Sequence, residues 1–343
     1  MRQLSAAVFL FACISMQPLF AQMGGFAGTN SRIGFGPRGL GVSNAMSALT
    51  SEGSYSYYNP AHAATYTSYR QVDLSVASLQ FDRVLQSTGV TFQLPPKAGL
   101  ALSIQRTGIT DIDGRTVSGY STGSFDTNEY LINGAFGIRL SDRFQAGLGV
   151  KLSVANYHQE LDPATSVGID LGSLYKISDH VNFAFVIQDL IANYTWNSAD
   201  LYATDRARNV INNFPTRFKW GLAYEQEAFS ITSEFEVLSF SSEIRTTEQF
   251  IDNGIPVTIN SVEDVNTSAS SFRLGGVWNA HERFTLRGGY QLPELTDTES
   301  WGLSSGFSIH LPFDTFSPSI DYAFVLEPYQ ISTMHVFALN LKL

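Results

Sequence analysis

From Arg143 to Ala155 the chain alternates, with Phe144, Ala146, Leu148, Val150, Leu152 and Val154 on even positions and Arg143, Gln145, Gly147, Gly149, Lys151, Ser153 and Ala155 on odd ones. Successive side chains of a β-strand point to opposite faces, so this segment has one greasy face and one that meets something wet or crowded. The period returns at Leu100, Leu102, Ile104, at Tyr130, Ile132, Phe136, Ile138, at Val167, Ile169, Leu171 and at Val181, Phe183, Phe185, Ile187. It continues through Phe218, Trp220, Leu222, Tyr224, then Phe229, Ile231, Phe235, Val237, then Phe272, Leu274, Trp278 and Phe284, Leu286, Tyr290. Trp301, Leu303, Phe307, Ile309, then Ile320, Tyr322, Phe324, Leu326, and finally Phe337, Leu339, Leu341, Leu343 complete it. With strands at about 70–82 and 86–94 the pattern predicts fourteen strands, an even number suited to a bacterial outer-membrane barrel. Beyond the first two dozen residues no run of 18 apolar residues occurs, which excludes a bundle of membrane helices.

The links between these strands alternate in length, as the short periplasmic turns and longer external loops of such barrels do. Short links fall at Pro95-Pro96-Lys97, Ser141-Asp142, Ser178-Asp179, Gln226-Glu227, Ala280-His281-Glu282 and Pro312 to Thr315. Longer ones are expected at about 109–127, 157–165, 191–214, 241–269 and 291–298, while 83–86 and 327–331 are short where the rule wants length. A soluble sandwich of two sheets is the competing architecture. Against it, the faces opposite the greasy ones carry Asn133, Arg139, Gln145, Lys151, Asp170, Asn182, Gln188, Arg217, Lys219, Glu234, Glu236, Arg273 and Arg287. Gly137, Gly147, Gly149, Gly221, Gly275 and Gly289 interleave with them. Basic positions near 217 and 287 and the acidic pair at 234 and 236 are placed to pair across a lumen. The expected fold is therefore all-β, a 14-stranded antiparallel transmembrane barrel over residues 70–343.

Composition agrees. Only 15% of residues are charged, against roughly 25% in an ordinary soluble domain, while 44% are hydrophobic. The formal charge of −10 and the lack of a basic stripe speak against nucleic acid as a partner. Arg2 followed by the apolar run Leu4 to Ala12, then Pro18-Leu19-Phe20-Ala21, reads as a secretory signal over residues 1–21, cleaved after Ala21. Cys13, the one cysteine, lies inside it, so disulfides and cysteine-ligated metals are not expected in the exported chain.

Residues 22–69 are rich in Gly, Ser, Tyr and Ala and lack sustained alternation, so they belong somewhere other than the wall. Gly34-x-Gly36-x-x-Gly39 matches a dinucleotide fingerprint in letters only, because it follows an export signal and contains Pro37. Arg38-Gly39-Leu40-Gly41-Val42-Ser43-Asn44-Ala45-Met46-Ser47-Ala48, continuing to Ser56-Tyr57-Tyr58-Asn59-Pro60-Ala61, resembles the N-terminal signature of the FadL-like outer-membrane barrels, especially their PorV/PorQ branch. Stretches at 129–151, 168–172, 188–190, 215–224 and 320–323 look like that branch too. The resemblance implies that 22–69 folds inside the barrel as a hatch, with Gly39, Gly41, Asn59, Pro60 and Ala61 as its motif. Pro60 would fix a turn and Asn59 would bond neighbouring backbone. The ending Asn340-Leu341-Lys342-Leu343 departs from the terminal aromatic of many outer-membrane barrels.

Little else suggests chemistry. His62, His158, His180, His281, His310 and His335 are scattered without metal-ligand spacing. Asp111-Ile112-Asp113-Gly114 begins like a calcium loop but has Thr122 where the bidentate carboxylate belongs, and reads as a turn in a solvated external loop. Ser308 and His310 share a strand face without a recognisable nucleophile setting. Trp220, Tyr224, Trp278, Tyr290 and Trp301 suit interfacial girdles. No enzymatic activity and no cofactor are expected. The PorV/PorQ resemblance implies an outer-membrane component that binds or hands over exported proteins in a type IX-like secretion system, its partners being those proteins or other secretion subunits. The wider FadL resemblance implies a passive channel for hydrophobic small molecules such as long-chain fatty acids. A lipid conduit predicts an apolar external pocket with a few polar groups. A secretion component predicts loops 109–127 and 241–269, with Asp111, Asp113, Thr127, Glu243, Thr246, Glu248 and Asp252, presented to a protein.

Overall fold

The computed structural model describes residues 27–65, 70–158, 161–197, 210–252, 255–295, 297, 299–311, 317–327 and 332–343. The predicted signal over 1–21, with Cys13, lies outside the described residues. The strands are β1 Gln71–Leu79, β2 Arg83–Leu94, β3 Ala98–Arg115, β4 Ser121–Arg139, β5 Phe144–Asn156, β6 Ala164–Lys176, β7 Val181–Leu190 and β8 Asn193–Trp196. They continue with β9 Val210–Asn213, β10 Thr216–Glu225, β11 Phe229–Asp252, β12 Ile255–His281, β13 Phe284–Leu292, β14 Gly302–His310, β15 Ser317–Leu326 and β16 Thr333–Lys342. Fourteen of them close an antiparallel barrel, and β8 pairs with β9 in a small sheet of its own. β1 meets β16 from Gln71↔Lys342 to Leu79↔Met334, so the ladder has no open edge. Closure matters because a strand edge facing hydrocarbon would leave several kcal/mol per backbone group unsatisfied.

The alternation sets the two faces. Leu148 and Val150 on β5 are 47% and 50% exposed, whereas Lys151 between Val150 and Leu152 is buried. Leu74, Leu100, Leu102, Phe136, Leu171, Leu222, Ile231, Leu274, Leu303, Ile320 and Phe337 join them in an apolar outer belt, the kind of surface that acyl chains cover. Trp220, Tyr224, Trp278 and Tyr290 also face outward, and Trp301 is half-buried.

Two of the expected loops are ladder instead. β11 and β12 are 24 and 27 residues long and stay paired from Phe229↔Trp278 to Asp252↔Ile255, so 241–269 is the arm of a hairpin rather than a connection. β3 and β4 likewise stay paired through most of 109–127, with register shifts after Ile109 and Gly114. The Asp111–Gly114 stretch therefore lies within β3, Asp111 taking φ +57° at the first shift and Asp113 pairing with Arg115 at 2.7 Å. Both extensions pass beyond the apolar belt, where a strand needs no greasy face and the hydrophobic period disappears. The β1–β2 link falls at 80–82, with Phe81 and Asp82 both left-handed, a few residues earlier than the expected 83–86. The 191–214 connection carries β8 and β9.

Residues 27–65 run inside the wall. They form α1 Asn30–Ile33, α2 Gly36–Gly41 and a 3₁₀ turn Pro60–Ala64, and almost every residue from Gly34 to Ala64 is buried. Phe35, Val42, Met46, Leu49, Tyr55, Tyr57 and Tyr58 are its apolar centre, packed with wall residues such as Leu131, Leu174 and Val277. The principal core of this protein is thus made between the segment and the inner wall.

Val150 sits mid-strand on the outer belt. Val150→Arg should lower unfolding free energy in lipid vesicles by about 2–4 kcal/mol, the cost of a midplane cation on the lipid face. Val150→Phe should change it by less than about 1 kcal/mol in the same reversible urea titration.

Candidate functional site

The inner glycines mark where the segment touches the wall. A Cβ on Gly147 would lie 2.2 Å from the Pro60 carbonyl carbon and 2.3 Å from the Ala61 nitrogen, and one on Gly172 only 2.1 Å from Asn59 Oδ1. Asn59 caps the 3₁₀ turn, its Oδ1 accepting from the Ala61 amide at 3.0 Å. Its Nδ2 donates to Ser47 O at 2.9 Å and Ser173 O at 3.1 Å, tying the turn to the segment and to β6. Gly39 leaves room for the Tyr58 hydroxyl, which would sit 2.1 Å from a Cβ there. That hydroxyl accepts from the Phe35 amide at 2.8 Å and donates to Asn44 Oδ1 at 2.7 Å. Gly41 rests against the Arg287 side chain.

The charged inner residues form two groups. In the first, Lys151 Nζ lies 2.8 Å from Asp170 and 3.0 Å from Asp189, and Arg217 bridges Asp189 at 3.6 Å and Glu236 at 2.6 Å. Arg273 pairs with Glu236 and, at 3.0 Å, with Glu234, which is also 3.6 Å from Lys219 Nζ. Four cations thus meet four carboxylates, all of them from the wall. The segment adds backbone contacts, the Ser47 amide donating to Glu234 at 3.1 Å and Ser31 O accepting from Arg217 at 3.1 Å, and two side chains: Ser31 Oγ donates to Asp189 at 3.4 Å, and the buried Arg32 guanidinium lies within the electrostatic reach of Arg217, Asp189 and Glu236.

The second group is shared. Arg38 Nε donates to Asp321 at 2.8 Å, Nη2 to Ser319 Oγ at 2.7 Å and Nη1 to Glu52 O at 2.8 Å. Glu52 in turn accepts from Arg287 Nε at 2.8 Å, and Arg287 Nη1 donates to Ser308 Oγ at 2.6 Å. Of the predicted inner charges, Arg217 and Glu236 do come together, but Arg287 pairs with the segment and not with the 234–236 pair. Arg139 belongs to neither group and lies half-buried at the end of β4. Arg38, Glu52, Asp189 and Asp321 complete the two groups; Asp321 follows the inner parity of β15, whereas Arg38, Glu52 and Asp189 had no period to announce them. Ser308 and His310 do not bond one another: His310 Nε2 faces Thr285 Oγ1 at 3.2 Å. Among the described residues no strand precedes the Gly34–Gly39 stretch.

Two cavities flank α2. At the end that carries the long hairpin, a space of about 730 Å³ is lined by the apolar Ile33, Leu40, Phe81, Leu238, Pro293, Val325 and Met334, by the charged Arg32, Arg83, Glu236, Arg273 and Glu327, and by polar residues including Ser43, Asn44 and Gln291. Burial, with the Arg217 charge nearby, lowers the Arg32 guanidinium to about 10. At the short-turn end a polar space of about 500 Å³ is lined by Arg38, Glu52, Glu227, His281, Thr285, Arg287, His310 and Lys342 among others.

No protein-family profile matches the sequence, and a search of curated proteins finds no sequence relative. Solved structures do match in fold. The monoaromatic hydrocarbon channel CymD aligns at TM-score 0.56 and 13% identity, over 90% of this chain and 97% of its own. The toluene transporter TodX of Pseudomonas putida gives 0.57 and 12% over the same shares. A Pseudomonas aeruginosa FadL homologue gives 0.59 and 12%, again over 90% and 97%. The chain therefore has the FadL/TodX barrel fold; these likenesses do not extend to the PorV/PorQ branch.

Two tests address the docking of the segment. Gly147→Ala, whose new methyl meets backbone, should lower stability by about 1–3 kcal/mol and open 59–64 to protease. Gly134→Ala, with open space at its Cβ, should do neither. His62 is fully buried with Nε2 3.0 Å from Ser47 O, and burial lowers its pKa from 6.5 to about 4. An undocked imidazole takes up a proton as pH falls through about 6.5, and the docked one does so only near 4. Docking should weaken across that window by on the order of 3 kcal/mol and level off below it. Amide exchange over 54–64 reads this, and His62→Gln should remove that part of the pH dependence.

Proposed function

We propose that the chain is an outer-membrane channel for hydrophobic small molecules, with residues 27–65 as the plug that closes it. One observation carries this reading: the 730 Å³ cavity at the long-hairpin end, bounded by the buried segment, sets seven apolar side chains beside five charged and five other polar ones. Apolar walls beside polar groups are what a hydrophobic ligand with a polar end requires. The FadL/TodX fold adds support, since the similar structures are named as a hydrocarbon channel and a toluene transporter. In this reading the long hairpin faces the exterior, the short turns face the periplasm, and the outer belt contacts outer-membrane lipid.

The secretion-component reading rests on the N-terminal resemblance and on the polar 109–127 and 241–269 stretches. Those stretches are continuous ladder, and nothing in the fold comparison adds to that reading. The deciding experiment measures uptake of a radiolabelled long-chain fatty acid and of a monoaromatic hydrocarbon by a deletion strain, beside its profile of secreted proteins. Uptake of one or both should fall at least several-fold and return on complementation, with secretion unchanged. Normal uptake with impaired secretion would reverse the assignment.

A further inference from the structure

The outer wall has a depression at mid-depth on β2 to β5. Gly134 is an outward position of β4 where an added Cβ meets nothing, and its cross-strand neighbours on the lipid face are Leu102 and Val150. One row nearer the short turns, Phe92, Leu100, Phe136 and Leu148 stand side by side across the four strands. These six side chains wall a space of about 440 Å³ whose floor is at Ala101 and Ala135. Pairing from β2 to β5 is unbroken at this depth, so the depression is closed to the lumen. The short-turn rim below it is basic. Lys97, Arg139, Arg143 and Lys176 follow one another along the ends of β3 to β6, the Arg139 amide donating to Lys97 O at 2.7 Å and the Lys176 amide to Arg143 O at 2.8 Å. Asp142 and Asp179 are the acids there, and Asp179 is held by Lys176 at 3.3 Å. Further round the same rim, turns 225–228 and 280–283 carry Glu225, Glu227 and Glu282 against Arg283.

On the membrane orientation given above, and independently of what the channel carries, we infer a site for one anionic phospholipid of the periplasmic leaflet, with an acyl chain in the Gly134 depression and the headgroup phosphate on Lys97 and Arg143. The depth fits. From Gly134 to Leu140, just past the end of β4, the strand covers roughly 15 Å of membrane depth at ~3.3 Å per residue and a tilt of about 40°, close to the hydrocarbon of one leaflet. Leu94, Ile138 and Leu140 stay exposed and apolar down to that level, and Lys97 and Arg143 are exposed just beyond it. Between depression and rim the outward residues of β3 and β5 are the short Ala98 and Ala146, so a chain can lie against the wall on the way. Apolar shape alone does not select a lipid, because acyl tails are as apolar as the leucines they touch. The depression fixes where a chain packs, and the basic rim decides which head accompanies it.

The test is native mass spectrometry of the full chain released from nanodiscs of equal parts phosphatidylglycerol and phosphatidylethanolamine, which needs no transported solute. One phosphatidylglycerol should be retained per chain, enriched at least five-fold over phosphatidylethanolamine. Gly134→Leu, which fills the depression, and Lys97→Gln combined with Arg143→Gln should each bring the retained ratio down to that of the bulk lipid. The two turn substitutions lie outside the packed faces of the barrel, so they read the site even where Gly134→Leu inserts poorly. Gly276→Leu, at another outward glycine with open space, and Arg283→Gln, elsewhere on the rim, should leave the enrichment in place. Equal retention of the two lipids by the unmutated chain overturns the site. So does enrichment that survives the double charge variant or a well-inserted Gly134→Leu, or that Gly276→Leu or Arg283→Gln abolishes. A chain that holds phosphatidylglycerol in this way and takes up no hydrophobic compound would sustain the site and defeat the channel assignment.

Discussion

Charge neutrality inside a closed cylinder is the constraint on which the rest of this structure depends. Moving an ion out of water costs several kcal/mol even after relaxation, and removing one member of a buried pair costs about 3–5 kcal/mol. The inner wall meets this with interleaved signs on neighbouring strands: Lys151 faces Asp170 across β5 and β6, and Lys219 stands in register with Glu236 across β10 and β11. The belt outside can be apolar because the charges at its depth, such as Lys151, Asp170, Arg217, Lys219, Glu234 and Glu236, are turned inward and matched there. The same constraint fixes the register, because a one-residue slip of any strand would turn its inner charges onto the lipid face.

The hydrophobic period made the strands legible, and it did so only as deep as the apolar belt reaches. Leu148, Val150 and Leu152 advertise β5 because their outward face must be greasy. Past Ser239 on β11, where pairing with β10 ends, the ladder to β12 continues through Ser241, Ser242, Thr246 and Thr247. A strand in water is stabilised by its partner strand and has no need of a repeating apolar face. The two mistaken loops share this cause.

The site was legible in one half. Inner glycines at 147, 221, 275 and 289 signalled a crowded inner face, and each lies against the 27–65 segment. The wall charges were readable from parity. The segment's own contributions were not, because Arg38 and Glu52 sit in a stretch without period and meet residues more than two hundred positions away. Asp189 was hidden for a different reason: it takes φ +60°, next to a register shift between β6 and β7, so that Gln188 and Asp189 are both buried where strict alternation allows one.

The two charge groups differ in what the segment brings to them. In the group around Arg217 the four paired cations and four carboxylates come from the wall, with Ser31 and Arg32 of the segment set against them. In the other, wall and segment each bring one ion of either sign: Arg287 and Asp321 from the barrel, Arg38 and Glu52 from within. Ser308 accepts from Arg287 and is also a hydrogen-bond partner of Asp321, so the two wall ions already stand around one hydroxyl. Arg38 already holds the Glu52 carbonyl. An exchange of partners, wall ion with wall ion and segment ion with segment ion, leaves no net charge behind on either side. Withdrawal of the whole segment would instead uncover the seat of Pro60 and the tyrosine cluster as well.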